Sequence, residues 1–200
     1  MKLTIPTELS EITLGQLQSI SDIENAELEN TERQKQIVEL LTGVDRQTID
    51  VFRLSDLQRV YEKLLYLSKK DNRLTKFVTI DDVKYGFHPN LSNISTGEFA
   101  DLDSLCQDFN ENLHLIMAVL YRPVTLEKLG KYQIEKYKGS IEERANLFKT
   151  KMPANIVNGA LVFFWILGND YLKNTQEFSE AEQEARSNNN FQNDGGGIPY

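Results

Sequence analysis

Along most of the chain, apolar residues recur at three- and four-residue intervals. The segment SDLQRVYEKLLYL, beginning at Ser55, places Leu57, Val60, Tyr61, Leu64 and Leu65 at i, i+3, i+4, i+7 and i+8, which predicts an amphipathic helix. Ser55 with Gln58 has the spacing of a capping box at its start. Thr31 as N-cap and Gly43 as stop bound a second helix, from Thr31 to Leu41. Thr13 opens a short helical piece over residues 13–20, and Asp45 caps another that reaches Val51.

The period changes at residue 76. In KFVTIDDVKYGFHP, two runs rich in aromatic and β-branched residues, Phe77–Ile80 and Val83–Phe87, flank an Asp-Asp turn and predict a hairpin. Such a hairpin is marginal alone and must lean on helices or a partner. Helices resume at Ser95, boxed with Glu98, and again near Asn110, stopping before Pro123. Residues 124–139 fit either a loop or a short strand. Ser140 with Glu143 opens a helix towards Phe148, and Pro153 suits the first turn of the last and longest helix, which runs to about Phe178. Residues 179–200 are polar, with three consecutive asparagines and three consecutive glycines, and too poor in apolar groups to offset their chain entropy. The expected architecture is mainly α: one helical domain over 1–178 with a small inserted β-hairpin at about 76–88, a long C-terminal helix, and a disordered tail.

Composition adds limits. The chain is acidic, with 30 Asp and Glu against 22 Lys and Arg, and Lys128, Lys131, Lys136 and Lys138 are interspersed with Glu and Tyr instead of forming a basic stripe. Nucleic acid is therefore not an expected partner. The apolar run GALVFFWILG (Gly159–Gly168) is about half the length a bilayer span needs, so no membrane association is expected. The start of the chain carries no uninterrupted apolar run of the secretory kind, and Cys106 is the only cysteine, so no intrachain disulfide can form. A soluble protein, intracellular when made, is the expectation.

Glu98, Asp101, Asp103, Cys106, Asp108 and His114 lie close enough in sequence to suggest a metal or acid–base site. On a helix over residues 95–109, however, Phe99, Leu102, Leu105, Cys106 and Phe109 converge as a buried stripe and the carboxylates fall on its two flanks. Glu98 belongs to the cap, Cys106 reads as a small buried hydrophobe, His114 as a packed residue at the edge of an apolar helix, and His88 as a hairpin-end residue. The histidine spacing matches no metal signature, and no glycine-rich phosphate loop or nucleophile elbow precedes a helix. No catalytic residue, cofactor or metal site is expected; the chain is read as a non-enzyme that works by adhesion. The candidate contact residues are the aromatic run Phe163, Phe164 and Trp165, followed by Phe178, Phe191, Ile198 and Tyr200, which could dock as the tail orders.

The order of motifs resembles small tail-assembly proteins of tailed bacteriophages. ITLGQLQSI is followed by ERQKQIVELLTGVDRQTIDVFRLSDLQRVYEKLLYL, in which Leu14, Gly15 and Gln16, then Leu41, Thr42 and Gly43, then Ile49, Asp56 and Leu57 stand at the matching positions. YGFHPNLSNISTGEFADLDSL and LHLIMAVLYRPV resemble phage virion-region proteins, where a hairpin leads into GEF-DL and LYRP. The resemblance spans roughly residues 10–170. It implies a tail-assembly chaperone-like protein of the host cytoplasm that binds tape-measure or tail-tube subunits; another copy of the chain, giving a homo-oligomer, is a further candidate partner. The alternative is a structural component of the virion (neck, tail hub or packaged protein), ordered by neighbouring subunits.

Overall fold

The computed structural model describes residues 4–67 and 73–162 of the chain. Residues 1–160 form one compact unit; Leu161 and Val162 belong to a second. The long last helix is helical over residues 154–162, and its predicted continuation to Phe178, like the tail, lies outside the described residues.

Seven helices precede it: α1 (Leu14–Asn25), α2 (Asn30–Thr42), α3 (Arg46–Asp50), α4 (Leu54–Leu67), α5 (Thr96–Leu105), α6 (Phe109–Leu120) and α7 (Glu142–Lys151). The molecule is mostly helical, as the periodicity predicts. Thr13 caps α1 in a reciprocal box with Gln16, and Asp45 caps α3 by accepting from the Thr48 amide. α1 runs five residues past its expected end because Ile20 and Ile23 still face the core. Gly43 ends α2 in the left-handed conformation that glycine tolerates best.

Three expected caps are not formed. α2 starts at Asn30 with Glu29 before it, leaving Thr31 inside the helix. α4 starts at Leu54, where the Arg53 carbonyl already accepts from the Asp56 and Leu57 amides, so Ser55 is helical. α7 is preceded by Ile141, whose amide is met by the Glu142 carboxylate, and Ser140 lies one residue too early.

The first core lies among the N-terminal helices: Ile37, Val38 and Leu41 of α2 meet Ile49 of α3 and Leu57, Val60 and Leu64 of α4. α1 packs on α2 and on α6 and α7. Leu14, Phe148, Ile116, Met117 and Tyr121 are almost wholly enclosed. The ends of the unit are tied by backbone: the Leu14 amide bonds the Met152 carbonyl and the Ala154 amide the Ile12 carbonyl, each at 2.8 Å.

The β-structure is larger than the inserted hairpin expected. β1 (Phe77–Ile80) and β2 (Val83–Phe87) form that hairpin at the expected residues, and β3 (Tyr121–Lys128) and β4 (Lys131–Ile134) form a second, giving an antiparallel sheet in the order β1-β2-β3-β4. Residues 124–139, left open between loop and strand, are thus largely strand. β3 pairs β2 only through Tyr121–Pro123, then continues to Lys128 against β4 alone. One sheet face packs inward, with the Tyr85 ring edge-on to Phe148 of α7 at 4.9 Å. On the other face Tyr132 lies over Gly86, where a Cβ would sit 2.8 Å from its ring, and meets Phe77 at 4.6 Å.

Both hairpin turns put two residues at positive φ, as a type I′ turn requires: Asp81 and Asp82 (49° and 61°), and Leu129 and Gly130 (52° and 75°). Asp tolerates that region through local hydrogen bonding, whereas for leucine it costs roughly 1–2 kcal/mol.

Candidate functional site

Of the apolar stripe expected on a helix over residues 95–109, only Leu102 and Leu105 face inward. α5 ends at Leu105, a 3-10 turn follows over Cys106–Asp108, and α6 starts at Phe109. Along α5 the inward residues are Glu98, Asp101, Leu102 and Leu105, an i, i+3, i+4, i+7 set. Phe99 is 62% exposed, Phe109 is 41% exposed, and Cys106 is exposed. The helix is turned by about one residue from its apolar expectation. What turns it is Glu98, which reaches a cation that no local pattern announces.

That cation is Arg122, the second residue of β3, and both side chains are almost fully enclosed. Glu98 Oε2 accepts from the Ser95 amide at 2.7 Å and the Ser95 hydroxyl at 2.6 Å, completing the capping box, while Oε1 takes the Arg122 guanidinium. His88 Nε2, from the residue after β2, stands 3.6 Å from the same Oε1. Burial alone would raise the Glu98 pKa, but the Ser95 hydrogen bonds and the charges of Arg122 and His88 outweigh it and hold the carboxyl below its ordinary value. Burial, helped by the Arg122 charge and opposed by Glu98, holds the His88 imidazole below its ordinary value.

The cluster continues outward. The Tyr137 hydroxyl donates to Asp101 Oδ2, and the Arg122 guanidinium carbon lies 5.6 Å from the centre of the Tyr137 ring. Burial and the Asp101 hydrogen bond push the Tyr137 phenol well above its ordinary range. Arg144 of α7 donates from Nε to the Ala118 carbonyl at 3.0 Å and lies 3.5 Å from Glu135. Arg122 Nε is buried without an acceptor among the described residues.

Chemically, this arrangement fastens parts together. A general acid or base needs a position from which to meet substrate. Both oxygens of Glu98 face protein donors, and the group bridges α5, β2 and β3. Removing one member of such a pair leaves an uncompensated buried charge and costs about 3–5 kcal/mol.

The remaining candidates disperse. Asp103, Asp108 and Glu111 point to solvent. Cys106 is exposed where burial was expected, and the shielding its sulfur has, with the charge of Asp103, pushes the thiol above its ordinary value. His114 is half-buried against Gln18, whose Nε2 lies 3.4 Å from its Nδ1 and donates to the Asn110 and Glu111 carbonyls, joining α1 to α6. Among the described residues, no three His, Cys, Asp or Glu side chains gather as metal ligands would. No described helix is long and apolar enough to cross a membrane. Phe163, Phe164, Trp165, Phe178, Phe191, Ile198 and Tyr200 all lie outside the described residues.

Sequence reading missed Arg122, and the signal that could have found it was its place directly after the apolar run LIMAVLY: a charge there must be buried, and a buried charge needs a partner. Comparison with protein-family models, with curated proteins and with solved structures found no match to this chain.

Proposed function

We propose that the chain is a non-enzymatic bacteriophage assembly protein of the tail-assembly chaperone kind, which binds tape-measure or tail-tube subunits. The motif order from ITLGQLQSI to LYRPV supports the phage context. The observation that carries the adhesive role is the surface at α5 and the start of α6. There Phe99 and Phe109 present aromatic rings to solvent beside Asp103, Asp108 and Glu111, while the inward carboxylates of the same stretch hold the fold together. Exposed aromatic area rimmed by polar groups is the composition of contact surfaces.

The test is co-expression with a tape-measure subunit that is insoluble alone. The expected outcome is a soluble complex, recovered several-fold less with a Phe99→Ser/Phe109→Ser chain of unchanged circular dichroism. A tape-measure subunit whose solubility does not respond to the chain would rule the reading out.

A further inference from the structure

The β3–β4 tip breaks three local rules at once. Leu129 occupies a left-handed position that favours Asn or Gly, and the residue is 93% exposed. Lys128 and Lys131 stand directly opposite each other in the strand register, a like-charge pair. Neither ammonium has an ion-pair partner among the described residues, whereas the neighbouring Lys84 is neutralised by Glu127. Leu126, 53% exposed, adds a second apolar group beside them. Sequences depart from local preference in this concerted way where a function requires it.

The complementary surface is on the same chain. Residues 85–121 contain no Lys or Arg, and within them Phe99 and Asp103 line the outer face of α5, followed by the exposed Cys106, Asp108, Phe109 and Glu111. The tip is a leucine between two lysines; this face is aromatic rings between carboxylates. We infer that two copies of the chain associate by seating the Leu129 tip of one on the α5 face of the other. Each copy carries both surfaces, so the contact can close reciprocally about a two-fold axis. The inference does not rest on the phage role, but it uses the same α5 face, so self-association and the proposed tape-measure contact exclude each other there.

Sedimentation velocity of the full chain at low and high salt tests it without any other protein. Wild-type chain is expected to form a dimer that salt weakens. Lys128→Glu/Lys131→Glu and Asp103→Lys/Asp108→Lys chains should each sediment as monomers, and an equimolar mixture of the two should recover the dimer. If the second variant fails to fold by circular dichroism, Phe99→Ser takes its place and should reduce association at least tenfold. A monomeric wild type, association indifferent to the tip charges, or a mixture that stays monomeric would each overturn the inference. So would tip-dependent binding to phosphatidylserine vesicles by a chain that does not dimerise.

Discussion

Two hairpin turns of the same sheet meet the same backbone demand in opposite ways. Asp81-Asp82 uses short polar residues that accept positive φ, and the turn is held down because Lys151 of α7 donates to both Asp81 oxygens at 2.6 Å. Leu129-Gly130 places a bulky apolar residue where Asn would fit, and nothing among the described residues covers it. The first turn is built for the fold. The second carries a local backbone cost of roughly 1–2 kcal/mol at a residue that nothing described covers, and the inferred self-contact starts from that feature.

The contrast sharpens along β3 itself. Its first residues, Tyr121 and Arg122, are enclosed, with the Tyr121 hydroxyl bonded to the Thr75 carbonyl at 2.6 Å and Arg122 bound to Glu98. Its last residues, from Leu126 to Lys128, are exposed and paired only to β4. A firmly rooted strand can present its far end without losing register.

The largest expected effect is at that root. Glu98→Gln keeps the side-chain shape but leaves Arg122 buried without a counter-charge, and unfolding in urea should show a loss of about 3–5 kcal/mol. The double variant Glu98→Gln/Arg122→Met should recover much of that loss, since neither charge is then buried alone. A loss under about 1 kcal/mol in the single variant would mean that the root and the tip do not differ as described.

Acid should act on the same root in two stages. His88 titrates below its ordinary value of 6.5 in the folded chain, so the unfolded chain binds its proton first and stability begins to fall as pH drops below about 6.5. His114, held low by burial and by the charge of Lys149, adds in the same window. Glu98 is also lowered, from 4.5, so its contribution is complete above that value and is lost as pH falls further through its folded pKa. Thermal melts across this range should show the two stages in wild type and lose the His88 part in a His88→Gln chain. A melting temperature unchanged between pH 7 and pH 4 would contradict the assignment.

Local chemistry made much of this fold legible. The Thr13 start of α1, the Ser95 capping box, the Asp45 cap, the Gly43 stop and both strands of the first hairpin fall at the residues where sequence spacing puts them. What stayed hidden depends on partners distant in sequence. α5 is oriented by an arginine 24 residues beyond Glu98, so its own apolar stripe misleads. The second hairpin was hidden because its turn lacks the expected residue types, and β4 alternates only between half-buried and exposed positions. The same oddity that concealed the turn is the one from which self-association is inferred.

The most direct test of that reading is the thermal melt of a Leu129→Asn chain, at a concentration where both it and the wild-type chain sediment as monomers, so that loss of self-association does not enter. With an Asn-Gly pair at a turn that suits it, the fold should be more stable by about 1 kcal/mol, a rise of roughly 2–4 °C. A melting temperature below that of wild type would show that Leu129 serves the fold, and that the two turns are built alike.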